Sequence, residues 1–269
     1  MNKVLRTGIL SLFLCLMTTS VMAQNIPDQN ERPSQLDQIH GYTDTPKLPG
    51  GKWHVHDPNR PQPEVVTPNY NGEPVSPPEE ATVLFDGTGL DHWKNKKWKL
   101  KDDYMVVTDG NQTSKKKFGD VYLHLEWRIP RSVSGWGQAR GNSGVFLMGR
   151  YEIQVLDGWA NRAYPDGMTG AIYGQKPPRV NACRKPGEWQ SYDIFFKAPE
   201  TEDGDVTEPA KMTVLHNGIP IHNNVDLLGK TLHKAVGRYK NPPAKAPLKL
   251  QDHGNAIHYR NIWVVPMEE

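Results

Sequence analysis

The stretch from residue 141 to 174 constrains the fold of this chain most, because its centre alternates strictly between apolar and polar residues. Residues 151–157 read YEIQVLD. A strand sends alternate side chains to opposite faces of a sheet, so the pattern predicts a strand with one apolar face. Glu152 and Gln154 then share the opposite, polar face. A carboxylate beside an amide on a sheet face is typical of a sugar-binding surface.

The remainder of the chain after residue 81 also predicts short strands rather than helices. Turn residues separate nearly all strand candidates, and no long stretch has apolar residues at helical spacing. Asn217-Gly218 is a strong signal for a tight hairpin. The candidates are residues 82–85, 104–108, 121–129, 144–148, 151–156, 191–197, 211–216, 248–251 and 257–265. Many short strands without intervening helices favour an all-β sandwich or barrel.

The first residues have the pattern of an export signal. Lys3 and Arg6 precede a short apolar run at residues 9–17, and residues 21–23 (VMA) fit a small-residue cleavage site. The apolar run is too short to span a bilayer. We therefore expect a signal peptide at residues 1–23, export to the periplasm or the extracellular space, and no membrane span.

Removal of this signal would leave a chain without net charge. The full chain has 32 basic and 30 acidic residues, and loss of Lys3 and Arg6 leaves 30 of each. Two lysine-rich runs, at residues 94–101 and 115–117, are interpreted as solvated edges around turns. A neutral chain lacks the positive charge that nucleic-acid binding needs, so we expect no nucleic-acid partner.

A proline-rich segment precedes the predicted sandwich. Residues 24–80 contain 11 of the 23 prolines and few apolar residues. Proline fixes φ and removes a backbone donor, so little regular structure is expected here. Disorder is one interpretation. Trp53, however, needs a surface to bury its ring, which favours an extended arm on the main domain. The expected organisation is an arm at residues 24–80 and a β-sandwich catalytic domain at residues 81–269.

Polar residues recur on strand faces where a core does not require them. They are Glu126 in the strand at 121–129, Glu152 and Gln154 in the strand at 151–156, and Gln251, His253 and Arg260 near the C-terminus. Two-faced strands are normal in antiparallel sheets, and most outward polar residues only face water. The pattern alone leaves both interpretations open.

Aromatic residues in glycine-rich loops give a second indication of carbohydrate chemistry. These residues are Trp136, Trp159, Tyr164 and Tyr173. Aromatic rings stack on the apolar faces of sugars, although any one ring could equally anchor its loop. Several rings around one polar sheet face favour a saccharide cleft.

Other site types are weak or missing in the sequence. There is no phosphate-binding loop, no dinucleotide fingerprint and no Gly-x-Ser-x-Gly elbow. His124 and Glu126 lie two residues apart on one strand face, so both could reach one metal ion. A divalent metal therefore stays a hypothesis without support from a familiar ligand spacing.

An ordered set of short motifs over about residues 82–266 identifies a family resemblance. The motifs are residues 84–87 (LFDG), 90–93 (LDHW), 125–128 (LEWR), 142–146 (NSGVF), 151–157 (YEIQVLD), 170–174 (GAIYG), 186–189 (PGEW), 215–218 (LHNG), 250–254 (LQDHG) and 259–263 (YRNIW). The chain resembles the 3-keto-disaccharide hydrolase domain family. The resemblance implies a concanavalin A-like (jelly-roll) sandwich of two antiparallel sheets. It also implies action on glycosides that are already oxidised to a ketone at sugar carbon 3.

Two departures from the family pattern bear on specificity. Gln190 follows Trp189 where the family usually has Asn, and the acidic insertion at residues 198–209 is longer than expected. Neither departure removes a proposed catalytic group.

The motif match and the shared strand faces suggest residue roles. A base would remove the proton on carbon 2, and a donor would stabilise the enolate oxygen. Our hypothesis assigns Glu152 or His253 as the base and Glu126 as a second carboxylate. Arg260, Gln251 or a bound ion would stabilise the enolate. The expected substrate-binding residues are Asn142, Gln154, Asp157, Tyr173, Gln251, Arg260 and Trp159.

Two other functions remain open at this point. Glu126 and Glu152 could act as the paired carboxylates of an ordinary glycosidase. The same fold also serves in lectin-like modules that bind carbohydrate without catalysis. All three of these functions share a saccharide as the partner. A purely structural role at the cell surface also stays open, and it predicts no affinity for saccharides.

Overall fold

The computed structural model describes residues 39–159 and 161–267. The predicted signal peptide at residues 1–23 lies outside the described residues. The strands are β1 (Glu64–Val65), β2 (Thr82–Phe85), β3 (Lys99–Lys101), β4 (Tyr104–Val106), β5 (Gln112–Phe118), β6 (Val121–Arg128), β7 (Ser143–Leu147), β8 (Tyr151–Val155), β9 (Val180–Asn181), β10 (Gln190–Lys197), β11 (Glu200–Glu202), β12 (Asp205–Glu208), β13 (Lys211–His216), β14 (Ile219–Asp226), β15 (Ala246–Leu250) and β16 (His258–Pro266). Two short 3₁₀ helices lie at Gly137–Ala139 and Pro165–Gly167.

Two antiparallel sheets form the body of the protein. The larger has eight strands in the order β14-β13-β10-β6-β16-β4-β3, with β2 also paired to β16. The smaller has four strands in the order β5-β15-β7-β8. One hydrophobic core contains side chains from both, among them Leu123, Leu125, Trp127, Val145, Ile153 and Val155. This arrangement confirms the predicted all-β, concanavalin A-like sandwich.

The alternation in β8 sorts its side chains as the sequence predicts. Tyr151, Ile153 and Val155 join the core. Glu152 and Gln154 therefore lie on the outer face of the smaller sheet, because neighbouring residues in a strand point to opposite faces. They are nevertheless buried, at 4% and 1% exposure, so another part of the protein covers this face.

The lysine-rich runs lie at exposed sheet edges, which confirms their interpretation as solvated edges, and part of each run forms an edge strand. Residues Lys99–Lys101 are β3, at one edge of the larger sheet, and Lys115–Lys117 lie within β5, at one edge of the smaller sheet. All six of these strand residues are exposed. Charged side chains on an edge strand discourage pairing with another chain, so these lysines protect the sheet edges.

The described part of the arm, residues 39–80, lies along the sandwich. Strand β1 pairs in parallel with β9. The side-chain amide of Gln62 donates a 3.0 Å hydrogen bond to the carbonyl oxygen of Ala163. Upstream of these contacts the arm folds back on itself, with an antiparallel bridge between Lys47 and His54.

A buried carboxylate fixes a second part of the arm on the outer face of the larger sheet. Glu126 accepts hydrogen bonds from Arg260 Nε at 2.7 Å, from Asn261 Nδ2 at 2.8 Å and from the backbone N–H of Val75 at 3.1 Å. Arg260 also donates to the carbonyl oxygen of Gly72 at 2.6 Å. The register of β16 shifts here and Asn261 has a φ of 46°, so consecutive residues can reach the same carboxylate.

We expect Glu126→Ala to destabilise the protein by about 3–5 kcal/mol, because it leaves Arg260 without its buried partner. Urea denaturation measures this loss, and limited proteolysis should show faster cleavage near residues 72–75. Glu188→Ala is the control, because Glu188 pairs with Arg184 while remaining 38% exposed. A surface pair contributes about 1 kcal/mol or less. Equal losses for the two variants would contradict the clamp role of Glu126.

Candidate active site

A cavity of about 550 Å³ lies over the outer face of the smaller sheet. Its lining is mostly polar and aromatic, and comes from the sheet, four loops and the arm. The lining residues are His40, Tyr42, Trp136, Gly137, Gln138, Asn142, Phe146, Glu152, Gln154, Ala163, Tyr164, Tyr173, Thr231, His233, Gln251 and His253. Sugar sites commonly combine ring faces with polar groups that fix orientation.

The floor of the cavity is built by register across three strands. Phe146 on β7 pairs with Glu152 on β8 and with Lys249 on β15. The Lys249 ammonium lies 3.5 Å from the centre of the Phe146 ring. Gly144 makes room for the acid, because a Cβ at this position would clash with Glu152 Oε1. The sheet thus holds one carboxyl group against an aromatic ring.

The Glu152 carboxyl group is the most strongly perturbed acid in the cavity. Burial raises its pKa to about 8, and the positive charge of Lys249 only partly offsets this effect. Burial also lowers the pKa of Lys249, and Glu152 partly offsets that shift. Glu152 therefore carries a proton at neutral pH and can act as an acid or a hydrogen-bond donor.

Three side-chain amides form a bonded group beside Glu152. Gln154 Nε2 donates to Gln138 Oε1 at 2.8 Å, and Asn142 Nδ2 donates to the backbone oxygen of Gln138 at 2.7 Å. The amide oxygens of the same two donors, Asn142 Oδ1 and Gln154 Oε1, are buried and have no hydrogen-bond partner in the structure. A buried acceptor without a partner is costly, and both residues line the cavity, so a sugar hydroxyl group that reached either oxygen would supply the missing donor.

A chain of polar contacts forms another wall. The Tyr164 and Tyr173 hydroxyls are 2.9 Å apart, and the Tyr173 hydroxyl lies 3.2 Å from His233 Nδ1. Burial raises the pKa of both tyrosines above the ordinary value, so both hydroxyls stay protonated. The pKa of His233 is lowered by burial and then by the charges of His56, Lys234 and His253.

Six of the predicted site residues line the cavity together. They are Asn142, Glu152, Gln154, Tyr173, Gln251 and His253. The backbone explains the position of the last two, because the N–H of Gln251 donates to the carbonyl oxygen of Gly144 at 2.9 Å. The segment after β15 therefore runs beside the start of β7.

Glu126 and Arg260 do not join this group. They pair with each other and with the arm, and neither lines the cavity. Burial acts to raise the pKa of Glu126, but bonds from His124, Asn261 and Arg260 outweigh it and lower that pKa. The structure therefore does not bring Glu126 and Glu152 together as a catalytic pair, and gives Glu126 a role in holding the arm.

The two metal-ligand candidates lie on the same outer face of the larger sheet. His124 Nε2 is 3.6 Å from Glu126 Oε1, and His124 Nδ1 is 2.7 Å from Asp193 Oδ1. Neither candidate lines the cavity. Within residues 39–159 and 161–267, no group of three or more His, Cys, Asp or Glu side chains is placed to hold a metal ion.

Asp157 and Trp159 shape the loop after β8. Asp157 accepts a 2.6 Å hydrogen bond from Arg140 Nε and a 2.9 Å bond from the backbone N–H of Trp159. Both residues line a smaller neighbouring cavity of about 160 Å³ rather than the large one. Their substrate-binding role therefore stays a prediction.

The two departures from the family pattern lie away from the cavity. Gln190 accepts hydrogen bonds from the Arg184 backbone at 2.9 Å and pairs with His216 Nε2 at 2.9 Å. The insertion contains the β11–β12 hairpin, and none of its described residues lines the cavity. Both departures thus serve local structure.

Several lining residues carried no recognisable signal in the sequence. Gln138, Thr231 and His233 lie in loops. His40 and Tyr42 come from the proline-rich arm. Lys249, which contacts the Phe146 ring but does not line the cavity, could have been found, since it alternates with core residues in β15. Loop and arm residues have no periodicity that aims their side chains.

We expect the stability of the protein to depend on Glu152 between about pH 4.5 and 8. Its pKa is raised on folding from 4.5 to about 8, so the unfolded chain ionises first and stability falls as pH rises across this window. Glu152→Gln should therefore gain a few kcal/mol over the natural protein by pH 8, since each pKa unit is worth about 1.4 kcal/mol. Denaturation of both proteins at pH 5 and 8 measures the difference. A constant difference across this range would contradict the buried, protonated acid.

Within the described residues, no helix is both long and apolar enough to cross a membrane.

No curated protein sequence matches the chain. A candidate glycosyl hydrolase from Parabacteroides distasonis is 39% identical, covering 77% of this chain and 93% of that one, with a TM-score of 0.70. A second candidate glycosyl hydrolase from the same organism is 21% identical, covers 70% of this chain and 99% of the other, and shares the fold with a TM-score of 0.52.

The strongest assignment comes from a family model. Residues 80–265 match the 3-keto-α-glucoside-1,2-lyase-like domain. The match covers all strands from β2 to β15, and it includes Glu152, Gln154 and His253. The chain belongs to the 3-keto-α-glucoside-1,2-lyase-like domain family.

Proposed function

We propose that this protein is an exported enzyme that cleaves the glycosidic bond of 3-keto-glycosides. The observation that carries the proposal is a buried, protonated carboxyl group, Glu152, in a cavity lined by side-chain amides and aromatic rings. The family of the chain supplies the substrate class. The predicted signal at residues 1–23 places the reaction in the periplasm or the extracellular space.

A ketone at carbon 3 makes a stepwise elimination possible. The ketone acidifies the proton on carbon 2, and a base removes that proton to form an enolate. The enolate then expels the group on carbon 1, which leaves with its oxygen and takes a proton from an acid. Addition of water to the resulting double bond gives the free 3-keto sugar, so the net reaction is hydrolysis. The site must supply a base, an acid and a donor to the enolate oxygen.

The environment of Glu152 favours the acid role. A carboxyl group that stays protonated at neutral pH can donate a hydrogen bond or a proton, as neutral carboxylic acids do in other enzymes. His253, an exposed imidazole on the same cavity, is then the base that removes the carbon 2 proton. This assignment chooses between the two bases that the sequence left open.

Neighbouring amides and a phenol would bind the sugar. Asn142 Oδ1 and Gln154 Oε1 are the unpaired acceptors for hydroxyl groups. Gln251 and Tyr173 present donors to the same space. Hydrogen bonds to individual hydroxyl groups would then hold the sugar ring with its carbon 2 toward His253.

The composition of the cavity argues against an ordinary glycosidase. Of the described residues that line it, Glu152 is the one with a carboxyl group. Paired carboxylates in glycosidases stand about 5–9.5 Å apart on either side of the bond. A site with a single acid and nearby imidazoles fits elimination better than that mechanism.

We expect Glu152→Gln and His253→Ala to lose turnover of a 3-keto-α-glucoside by about 100-fold or more, the usual range for acid–base groups. Release of the leaving group measures the rate. Glu126→Gln and His92→Ala are matched controls outside the cavity and should keep near-natural turnover where they are folded. Full turnover by both cavity variants would overturn the proposal. If the natural protein binds the 3-keto-α-glucoside but does not cleave it, the protein is a lectin-like module.

The pH dependence should report the same acid. Since Glu152 is active when protonated and its pKa is about 8, kcat/KM should fall as pH rises through about 8. Measurement of kcat/KM for a 3-keto-α-glucoside between pH 6 and 10 tests this. A rate that stays constant or rises up to pH 10 would contradict the acid role.

Gly144→Ala tests the geometry without removal of a chemical group. The new methyl group would displace Glu152 Oε1 and contact the Phe146 ring, so we expect turnover to fall about 100-fold with little loss of stability. Gly89→Ala is the control, because its nearest heavy atom would be 4.0 Å away. Equal activity of the two variants would show that the position of the Glu152 carboxyl group is unimportant.

A further inference from the structure

The mouth of the cavity contains an unusually exposed tryptophan. Trp136 lines the cavity and is 61% exposed. A tryptophan usually buries most of its large apolar surface, so exposure on this scale indicates a surface that is covered when a ligand is present.

The loop that holds Trp136 is fixed by backbone hydrogen bonds at this residue and just after it. The backbone N–H of Gly137 donates to Asn161 Oδ1 at 2.7 Å, and Asn161 Nδ2 donates back to the Gly137 carbonyl oxygen at 2.9 Å. Within the same loop, the N–H of Ala139 donates to the carbonyl oxygen of Trp136 at 3.0 Å. The ring is thus presented to solvent from an ordered backbone, which lowers the entropic cost of ligand binding.

The opposite side of the mouth is built by the arm. Tyr42 and His40 line the cavity, although the family match begins only at residue 80. The Tyr42 ring meets His233 edge-on, with 6.0 Å between ring centres. Lys234 Nζ lies 3.7 Å from the centre of the Tyr42 ring. These contacts hold an aromatic side chain at the rim.

A buried anchor explains how the arm reaches this position. The backbone N–H of His56 donates to Asp166 Oδ2 at 2.9 Å, and both side chains are fully buried. The His56 ring packs on Tyr164 and Tyr173, with ring centres 4.2 and 4.8 Å apart. The N–H of Tyr42 donates to the carbonyl oxygen of His56 at 2.9 Å, so the anchor positions Tyr42 directly.

The two sides of the mouth attach at different points along β8. On one side, Gln138 from the Trp136 loop bonds to Gln154. On the other, the Thr231 hydroxyl accepts a hydrogen bond from the backbone N–H of Glu152. A ligand bound over the polar floor would therefore extend outward between an aromatic ring from the loop and an aromatic ring from the arm.

We propose that Trp136 and the arm residue Tyr42 form a subsite for the leaving group, and that it selects leaving groups with a ring face. This inference rests on the proposed function, which places the oxidised sugar over the polar floor. A second sugar and an aryl group share the required chemistry, since both present an apolar face to an aromatic side chain. The arm is thus a specificity element that the family domain alone lacks.

Substrates that differ only in the leaving group test the subsite. We would compare methyl, phenyl and glucosyl 3-keto-α-glucosides with the natural protein, Trp136→Ala and Tyr42→Ala. We expect both variants to lose about tenfold or more in kcat/KM for a ring-bearing leaving group, since one aromatic contact is worth about a factor of ten. The methyl substrate should change by less than about threefold. Comparison of phenyl with glucosyl then shows which ring the subsite takes.

Two controls separate the ring from the integrity of the arm. Tyr42→Phe keeps the ring and should keep the preference. Trp53→Ala removes an aromatic residue of the same arm that does not line the cavity, and should also keep it. Equal losses on methyl and ring-bearing substrates, or no loss on either, would overturn the subsite.

A binding measurement keeps this test independent of catalysis. If the natural protein cleaves none of the three substrates, the proposed function fails. Calorimetry with phenyl and methyl α-glucosides then decides the subsite alone. A preference for the phenyl ligand that both alanine variants lose would support it, and equal affinity of the natural protein for the two ligands would overturn it.

Discussion

The burial of one carboxyl group on the outer face of the smaller sheet is the constraint on which the site depends. Glu152 lies on a face that would ordinarily point to water, yet loops and the arm cover it to 4% exposure. Without full hydration the ionised form is disfavoured, and Lys249 offsets this only in part. The protein therefore maintains an acid at neutral pH, and gives up stability at higher pH to do so. Gly144 is part of the same constraint, because only a residue without a Cβ leaves space for that acid.

Two glutamates on neighbouring sheets show how surroundings decide the chemistry of identical side chains. Glu126 is buried as completely as Glu152, but it receives bonds from Arg260, Asn261 and the Val75 backbone. Those donors favour its ionised form and outweigh burial, so its pKa falls. Such a carboxylate is a strong structural partner and a poor acid or base at neutral pH. The contrast explains why one glutamate holds the arm while the other faces the cavity.

The arm joins the two faces of the molecule. At residues 72–75 it is held by Arg260 and Glu126 on the outer face of the larger sheet, and near residue 56 by Asp166 beside the cavity. Because the backbone of its described residues, 39–80, contributes one short strand pairing to the sandwich, side-chain anchors carry most of their attachment. An element held in this way can vary in length and sequence without disturbance to the sandwich. This freedom makes it a suitable place for substrate selection.

The sandwich and the polar floor could be predicted from local sequence patterns. The period of two in residues 151–157 is a local property of extended backbone, so it sorted Glu152 and Gln154 from the core residues between them. The Asn217-Gly218 hairpin was equally local, since both residues have positive φ in a two-residue turn between β13 and β14. The ordered motifs identified the family, because the order of motifs along a chain can be read without knowledge of any tertiary contact. The lysine runs were recognised as solvated edges, but strands β3 and β5 were not predicted, because solvent-exposed edge strands lack an apolar face that would reveal their period.

Which polar residues meet could not be predicted from the sequence, because it depends on the packing of the folded chain. Glu126, Arg260 and Glu152 looked equivalent as outward residues on strands, but pairing places β6 and β16 in one sheet and β8 in the other. The cover over β8 comes from segments far apart in sequence, including His40 and Tyr42 from the arm and His233 from a late loop. No local pattern encodes such contacts, because the residues that make them lie in irregular backbone. The perturbed acid arises from this burial, and so the chemistry of the site is a property of the folded chain.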